Sequence, residues 1–255
     1  YPVQEMSPEG TVPRVRSVSG APPRPDSQVV AAVLGAGNFA RRTLLPLMTK
    51  AGIRVRTVVS SGGLDASLAA EQVDAELAGT DITAALEDPQ VNTVFVLTRH
   101  DSHARLAARA LEAGKHVFVE KPLALTDEDL DNLEGLTARG PGILTVGFNR
   151  RWAPLTAELE RRMAGRVGPL AVMCTVNAGA LPSDHWARHP QVGGGRILGE
   201  GCHFIDLLRR IVAVPIAGLD VQTAVASGQA IEDIAHLTLR FADGSIGTVA
   251  YLSNG

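Results

Sequence analysis

An apolar run at residues 29–34 leads into Gly35-Ala36-Gly37-Asn38-Phe39-Ala40 and then straight into a helical pattern. No other segment limits the fold of this chain so strongly. Gly35 permits a turn too tight for a side chain, and Gly37, lacking a Cβ, lets a ligand approach the backbone N–H groups. The helix that begins near Asn38 presents unpaired N–H groups and a partial positive charge, a suitable seat for an anion. Spaced as G-x-G-x-x-[G/A] between strand and helix, these residues match a dinucleotide diphosphate site, with Asn38 and Phe39 in the first turn and Ala40 small enough to keep helix and strand close. A glycine turn that binds nothing can have the same spacing.

The rest of the first half agrees with that junction. Short β-rich runs at 29–34, 53–60, 91–97, 116–119 and 143–147 alternate with helical patterns, which signals βαβ units and a parallel sheet. Within residues 101–113, Leu106, Ala110 and Ala113 share one side, and Thr126 is placed to cap an acidic first turn at 127–136. Residues 150–255 differ in kind. Stretches at 170–178, 219–226, 236–241 and 246–252 look like longer antiparallel strands, the last pair joined by the turn Ala242-Asp243-Gly244-Ser245. Between the first two a helix is expected from about 199 to 212, with Phe204, Ile205, Leu208, Ile211 and Val212 on its buried stripe and His203, Asp206 and Arg210 on another, outer face. The expected class is an α/β Rossmann domain (28–149) followed by an α+β domain with a mostly antiparallel open sheet (150–255), incomplete at its end. Residues 1–27, rich in proline, serine and glycine with no lasting hydrophobic period, read as a linker.

Composition narrows the function. A net charge of -3 argues against nucleic acid as a partner, since phosphate-binding surfaces need an excess of Lys and Arg. A small molecule fits better. Two cysteines, Cys174 and Cys202, are too few for a disulfide framework or a closed zinc site, and His100, His103, His185, His189 and Cys202 are not spaced as a coherent ligand set, so no metal is expected. No apolar run approaches the length of a bilayer span, and a cytoplasmic protein is expected. The strand tip that selects between nicotinamides reads Val58-Val59-Ser60-Ser61-Gly62-Gly63, with neither an acid nor an arginine at its end; Asp65 lies beyond, and Arg54 and Arg56 are expected to face solvent. Both NAD and NADP stay open.

Further along, Gly114-Lys115-His116-Val117-Phe118-Val119-Glu120-Lys121-Pro122 closely resembles the signature of the Gfo/Idh/MocA oxidoreductases, the glucose-fructose oxidoreductase and inositol dehydrogenase type. The loop from Thr98 to His103, the run Gly147-Phe148-Asn149-Arg150-Arg151-Trp152, and Gly193-Gly194-Gly195 leading to His203 and Asp206 carry the resemblance from about residue 29 to the end. In detail it resembles a subgroup in which an alcohol-dehydrogenase-like domain is fused upstream, with residues 1–27 as the connection.

The resemblance implies hydride transfer between nicotinamide and a hydroxyl or carbonyl of a sugar, polyol or nucleotide sugar. Lys121 would reach between nicotinamide and substrate hydroxyl, its bond to Pro122 often being cis, and His203 would exchange the hydroxyl proton. Ser60, Thr98, His103 and Glu120 would join the glycine turn around the cofactor. Asn149, Arg151, His185, Trp186 and Asp206 would border the substrate. A homo-oligomer formed through the second domain's sheet is also implied. One departure stands out: many active relatives carry Asp four residues before the histidine, where this chain has Gly199. Glu200 is still a helical neighbour of His203 and can supply the carboxylate or form a structural ion pair. A transient-oxidation glycoside hydrolase and a non-catalytic dinucleotide-binding regulator are the alternatives.

Overall fold

The structure, a computed structural model, describes residues 15–17, 29–224 and 234–253. Six parallel strands form the first sheet: β2 (Val30–Leu34), β3 (Arg54–Val59), β4 (Leu77–Gly79), β5 (Thr93–Val96), β6 (His116–Val119) and β7 (Leu144–Val146). With β1 (Val15–Ser17) antiparallel at one edge, the order is β1-β4-β3-β2-β5-β6-β7. Helices cover both faces, which is why β2 reads Val-Ala-Ala-Val-Leu without alternation. On one face, α1 (Leu45–Lys50) and α2 (Gly63–Gln72) pack Leu45, Met48, Ala66, Ala69 and Ala70 against Val33, Val55 and Val58. On the other, α3 (Ile82–Glu87), α4 (His103–Glu112) and α5 (Asp127–Arg139) pack Leu86, Leu106, Leu111 and Leu133 against Val94, Val96, Val117 and Val119. Thr126 caps α5 by accepting a hydrogen bond from the Asp129 amide at 3.2 Å.

Around this first sheet, three features depart from the sequence reading. Strand β4 is only Leu-Ala-Gly, too short to show a period, and exists through its pairing with β3. Residues 15–17 lie in the stretch expected to be a linker, yet pair with β4; the rest of 1–27 lies outside the described residues. Arg54 and Arg56 do not face solvent freely. Arg54 Nε donates to Glu76 at 2.8 Å and Arg56 Nε to Asp88 at 2.9 Å, partners more than twenty residues away that only the sheet brings near.

After β7 come a 3₁₀ turn (Asn149–Trp152), α6 (Pro154–Met163) and β8 (Ala171–Asn177). A π-helical turn (Ile197–Gly201) then leads into α7 (Cys202–Val212), where a continuous helix from 199 was expected. Strands β9 (Ile216–Ala224), β10 (Ile234–Phe241) and β11 (Ile246–Leu252) complete a sheet of order β8-β11-β10-β9, in which only the β8–β11 pair is parallel. The strand expected at 219–226 starts earlier, and residues 225–226 lie outside the described residues. Spaced four apart, Phe204, Leu208 and Val212 lay one stripe of α7 on Leu237, Leu239, Phe241, Val249 and Tyr251. The opposite face exposes Met173 and Ile246, while Leu219 and Val221, paired with Leu239 and Leu237 on the α7 side, are exposed on the edge strand β9. No helix among the described residues is long and apolar enough to cross a membrane.

Candidate active site

Strand order reverses between β2 and β5, so the chain leaves these neighbours in opposite directions and a crevice opens beyond their carboxyl ends. The glycine turn follows β2, the Thr98–His103 loop follows β5, and Glu120 to Pro122 follow β6, all at this one edge.

At Gly35 the backbone has φ +104°, and a Cβ there would sit 2.7 Å from the Leu97 carbonyl oxygen, so geometry and space both demand glycine. Gly37 is different. A Cβ added to it meets no protein atom within 4 Å, and Gly37, Asn38 and Phe39 are exposed while Ala40 is buried. The Gly37 carbonyl accepts the first helical bond, from Arg41 at 3.0 Å, leaving an open cradle before it that suits a diphosphate. Ser60 follows β3, half-buried, its amide donating to the Gly79 carbonyl at 3.1 Å. Just beyond, the Asp65 carboxylate folds back against Gly62, 2.9 Å from where a Cβ would stand.

His103, fully buried, joins two of the loops: Nδ1 lies 2.8 Å from the Pro122 carbonyl and Nε2 3.0 Å from the Thr98 carbonyl. Burial lowers its pKa while the two carbonyls pull upward, with a net lowering. The Lys121-Pro122 bond is cis. Burial raises the Glu120 pKa against the opposing pull of Lys121, and the missing side chain of Gly147 leaves room for its carboxyl group.

The Lys121 ammonium donates to the Gly199 carbonyl at 2.7 Å. His203, one turn along, has an Nδ1 that is buried without a hydrogen-bond partner among the described residues, and its ring meets Phe148 edge-on at 6.1 Å. Desolvation, then the charges of Lys121 and Arg150, lower its pKa to about 4, so the imidazole is neutral at pH 7. Glu200 is not free beside it. It accepts a hydrogen bond from the Tyr251 hydroxyl at 2.6 Å and pairs with buried Arg196 at 3.3 Å, contacts that outweigh burial and lower its pKa. Of the two arrangements open to Glu200, the structural ion pair is present.

Arg151 and Asp206 were expected to face substrate and instead hold each other. Arg151 Nε donates to Asp206 at 2.9 Å, a second bond runs from its other nitrogen, and Asp206 is buried, where helical spacing had placed it on an outer face. A desolvated carboxylate needs such a partner, and the arginine fork supplies both bonds. Asn149 is exposed in the 3₁₀ turn. His185 accepts from the Ala187 amide at 3.3 Å, and Trp186 packs edge-on to His100 at 4.8 Å between ring centroids with Arg99 over its face. Sequence reasoning passed over His100, Arg196, Tyr251 and Phe148 as site residues, although His100 and Phe148 lay within segments already singled out.

Comparison with known proteins agrees with this layout. Residues 29–148 match the model of an oxidoreductase family with an NAD-binding Rossmann fold, GFO/IDH/MocA, and residues 160–254 match that family's C-terminal domain. The chain belongs to this family. It is 31% identical over 191 residues to myo-inositol 2-dehydrogenase of Thermotoga maritima, covering 70% of this chain and 55% of that enzyme. Inositol 2-dehydrogenase 2 of Saccharopolyspora erythraea is 31% identical over 209 residues, covering 79% and 59%. The chain thus spans little more than half the length of these relatives. Among solved structures, levoglucosan dehydrogenase in complex with NADH and levoglucosan shares the fold, with a TM-score of 0.78 at 22% identity over 89% of this chain and 67% of that one.

Proposed function

We propose that the protein is an NAD(P)-dependent dehydrogenase acting on a CH–OH group of a sugar, polyol or nucleotide sugar. The observation that carries this reading is the Lys121 ammonium, anchored on Gly199 close to a neutral His203, at the same sheet edge as the open glycine cradle.

The amides of Gly37, Asn38 and Phe39 would hold the diphosphate, with Gly35 setting the turn and Ser60, Thr98, His103 and Glu120 lining the remainder. A bound nicotinamide supplies the acceptor for hydride. Lys121 donates a hydrogen bond to the reacting hydroxyl oxygen and fixes the carbon's approach. His203 takes the hydroxyl proton as the carbonyl forms, and returns it when the reaction runs toward reduction. Asn149, His185 and Trp186 border the substrate, whereas Arg151 and Asp206 brace the wall behind it. A second copy would pair on the uncovered face of the β8–β11 sheet. A cytoplasmic location and a fused upstream dehydrogenase-like domain belong to the same proposal.

The test is turnover by the full-length protein with NAD⁺ and with NADP⁺, offered myo-inositol, levoglucosan and a nucleotide sugar, following nicotinamide reduction. Reduction with at least one substrate is expected. Cofactor binding without turnover across a widened polyol panel would favour a binding regulator, and release of free sugar without net reduction would favour a glycoside hydrolase.

A further inference from the structure

The empty position at Gly199 is filled from elsewhere in the chain. A Cβ added there would lie 3.0 Å from His100 Cε1 and 3.3 Å from its Nδ1, closer than side chains normally pack. The imidazole that takes this space is almost fully buried and comes from the loop after β5, ninety-nine residues earlier in the chain. Its orientation is set. Nδ1 lies 2.9 Å from the Gly193 carbonyl, which can only accept, so the N–H is on Nδ1 and Nε2 keeps its lone pair. Among the described residues Nε2 has no hydrogen-bond partner, although the ring is braced by Trp186 and lies 5.6 Å from that of His103. The carbonyl of the same Gly199 receives the Lys121 ammonium.

We propose that His100 is a substrate-positioning and specificity-determining residue, whose Nε2 accepts a hydrogen bond from a substrate hydroxyl next to the one that Lys121 engages. The inference rests on the dehydrogenase reading of the site. A side chain at residue 199 and an imidazole at residue 100 compete for one volume, so this chain presents a neutral acceptor delivered by the Rossmann domain in place of a group carried by α7's leading turn. Burial holds the imidazole uncharged, with a pKa lowered to about 4, so it accepts throughout the neutral range. Such a wall selects a neutral polyhydroxylated substrate with adjacent hydroxyl groups, one for Lys121 and one for His100.

The discriminating variant is His100→Asn. Its amide can still donate to the Gly193 carbonyl and preserve the loop, but it has no group at the position of Nε2. A purely structural His100 predicts wild-type kinetics for His100→Asn. The proposal predicts that kcat/KM for whichever vicinal polyol is turned over falls by about tenfold or more, mostly through KM, while the Kd for nicotinamide dinucleotide and the melting temperature stay near wild type. His100→Gln, which can place an amide oxygen near the Nε2 position, should recover part of the loss. The proposal is overturned if His100→Asn keeps both kcat and KM within twofold of wild type, with dehydrogenase activity intact. It also falls if the wild type binds neither NAD⁺ nor NADP⁺, a result that removes the dehydrogenase reading itself and is separable from the first.

Discussion

On the cofactor side of the crevice, position is a property of the backbone: Gly35 turns against Leu97, Gly37 clears a cradle, and Lys121-Pro122 leaves the end of β6. On the substrate side, side chains are held by partners remote in sequence, as in Arg151 with Asp206, Glu200 with Tyr251, and His100 with Gly193. A backbone requirement stamps glycines at fixed spacing into a short segment. A cross-chain pair leaves no local trace, because either partner alone is an ordinary polar residue.

The contrast can be broken at several points. The largest effect is expected at Lys121, which acts by its side chain from the backbone-built half: Lys121→Ala should lower kcat by about 10²- to 10⁴-fold with little change in dinucleotide Kd, measured by steady-state kinetics and calorimetry. Equal kcat in the variant would remove Lys121 from the chemistry. Gly35→Ala and Gly37→Ala should then separate. The first meets the Leu97 carbonyl in a left-handed conformation and should cost about 3 kcal/mol of stability in denaturant unfolding. The second has open space and should leave stability unchanged while weakening dinucleotide binding about tenfold. Matching stability losses would mean the cradle is not open.

A smaller effect follows from His203. Its neutral form accepts the proton, so kcat/KM for hydroxyl oxidation should stay level as pH falls from 8 through its ordinary value near 6.5, and decline only on approach to about 4. An inflection near 6.5 would show that desolvation does not control this ring. The smallest effect is at Tyr251→Phe, which removes a hydrogen bond to Glu200 and should cost about 1 kcal/mol at neutral pH. Because the folded protein holds the Glu200 pKa below its unfolded value, this pair's contribution is present at neutral pH and fades as pH falls through the folded value, so the two proteins should converge in acid. A constant gap would assign the loss to packing.

This difference also explains what could be read in advance. The parallel strands, the Thr126 cap and the β10–β11 hairpin follow from local pattern and turn chemistry, and the structure shows all of them. Strand β4 escaped notice because three residues carry no period. Asp206 was placed on the outer face of α7 because helical spacing registers polarity but not a buried arginine fork arriving from residue 151. Glu200 was an open choice between catalysis and an ion pair: Arg196, four residues earlier, is a local neighbour, but Tyr251 reaches it only through the pairing of β11 into the second sheet.

The central claim is that the turn after β2 grips a dinucleotide diphosphate while Lys121 acts beyond it. Calorimetric titration of the intact protein with NAD⁺ and NADP⁺ tests it most directly: saturable single-site binding of one of them is predicted, retained in Lys121→Ala and weakened in Gly37→Ala. Absence of binding by both nucleotides, or affinity indifferent to Gly37, would contradict it.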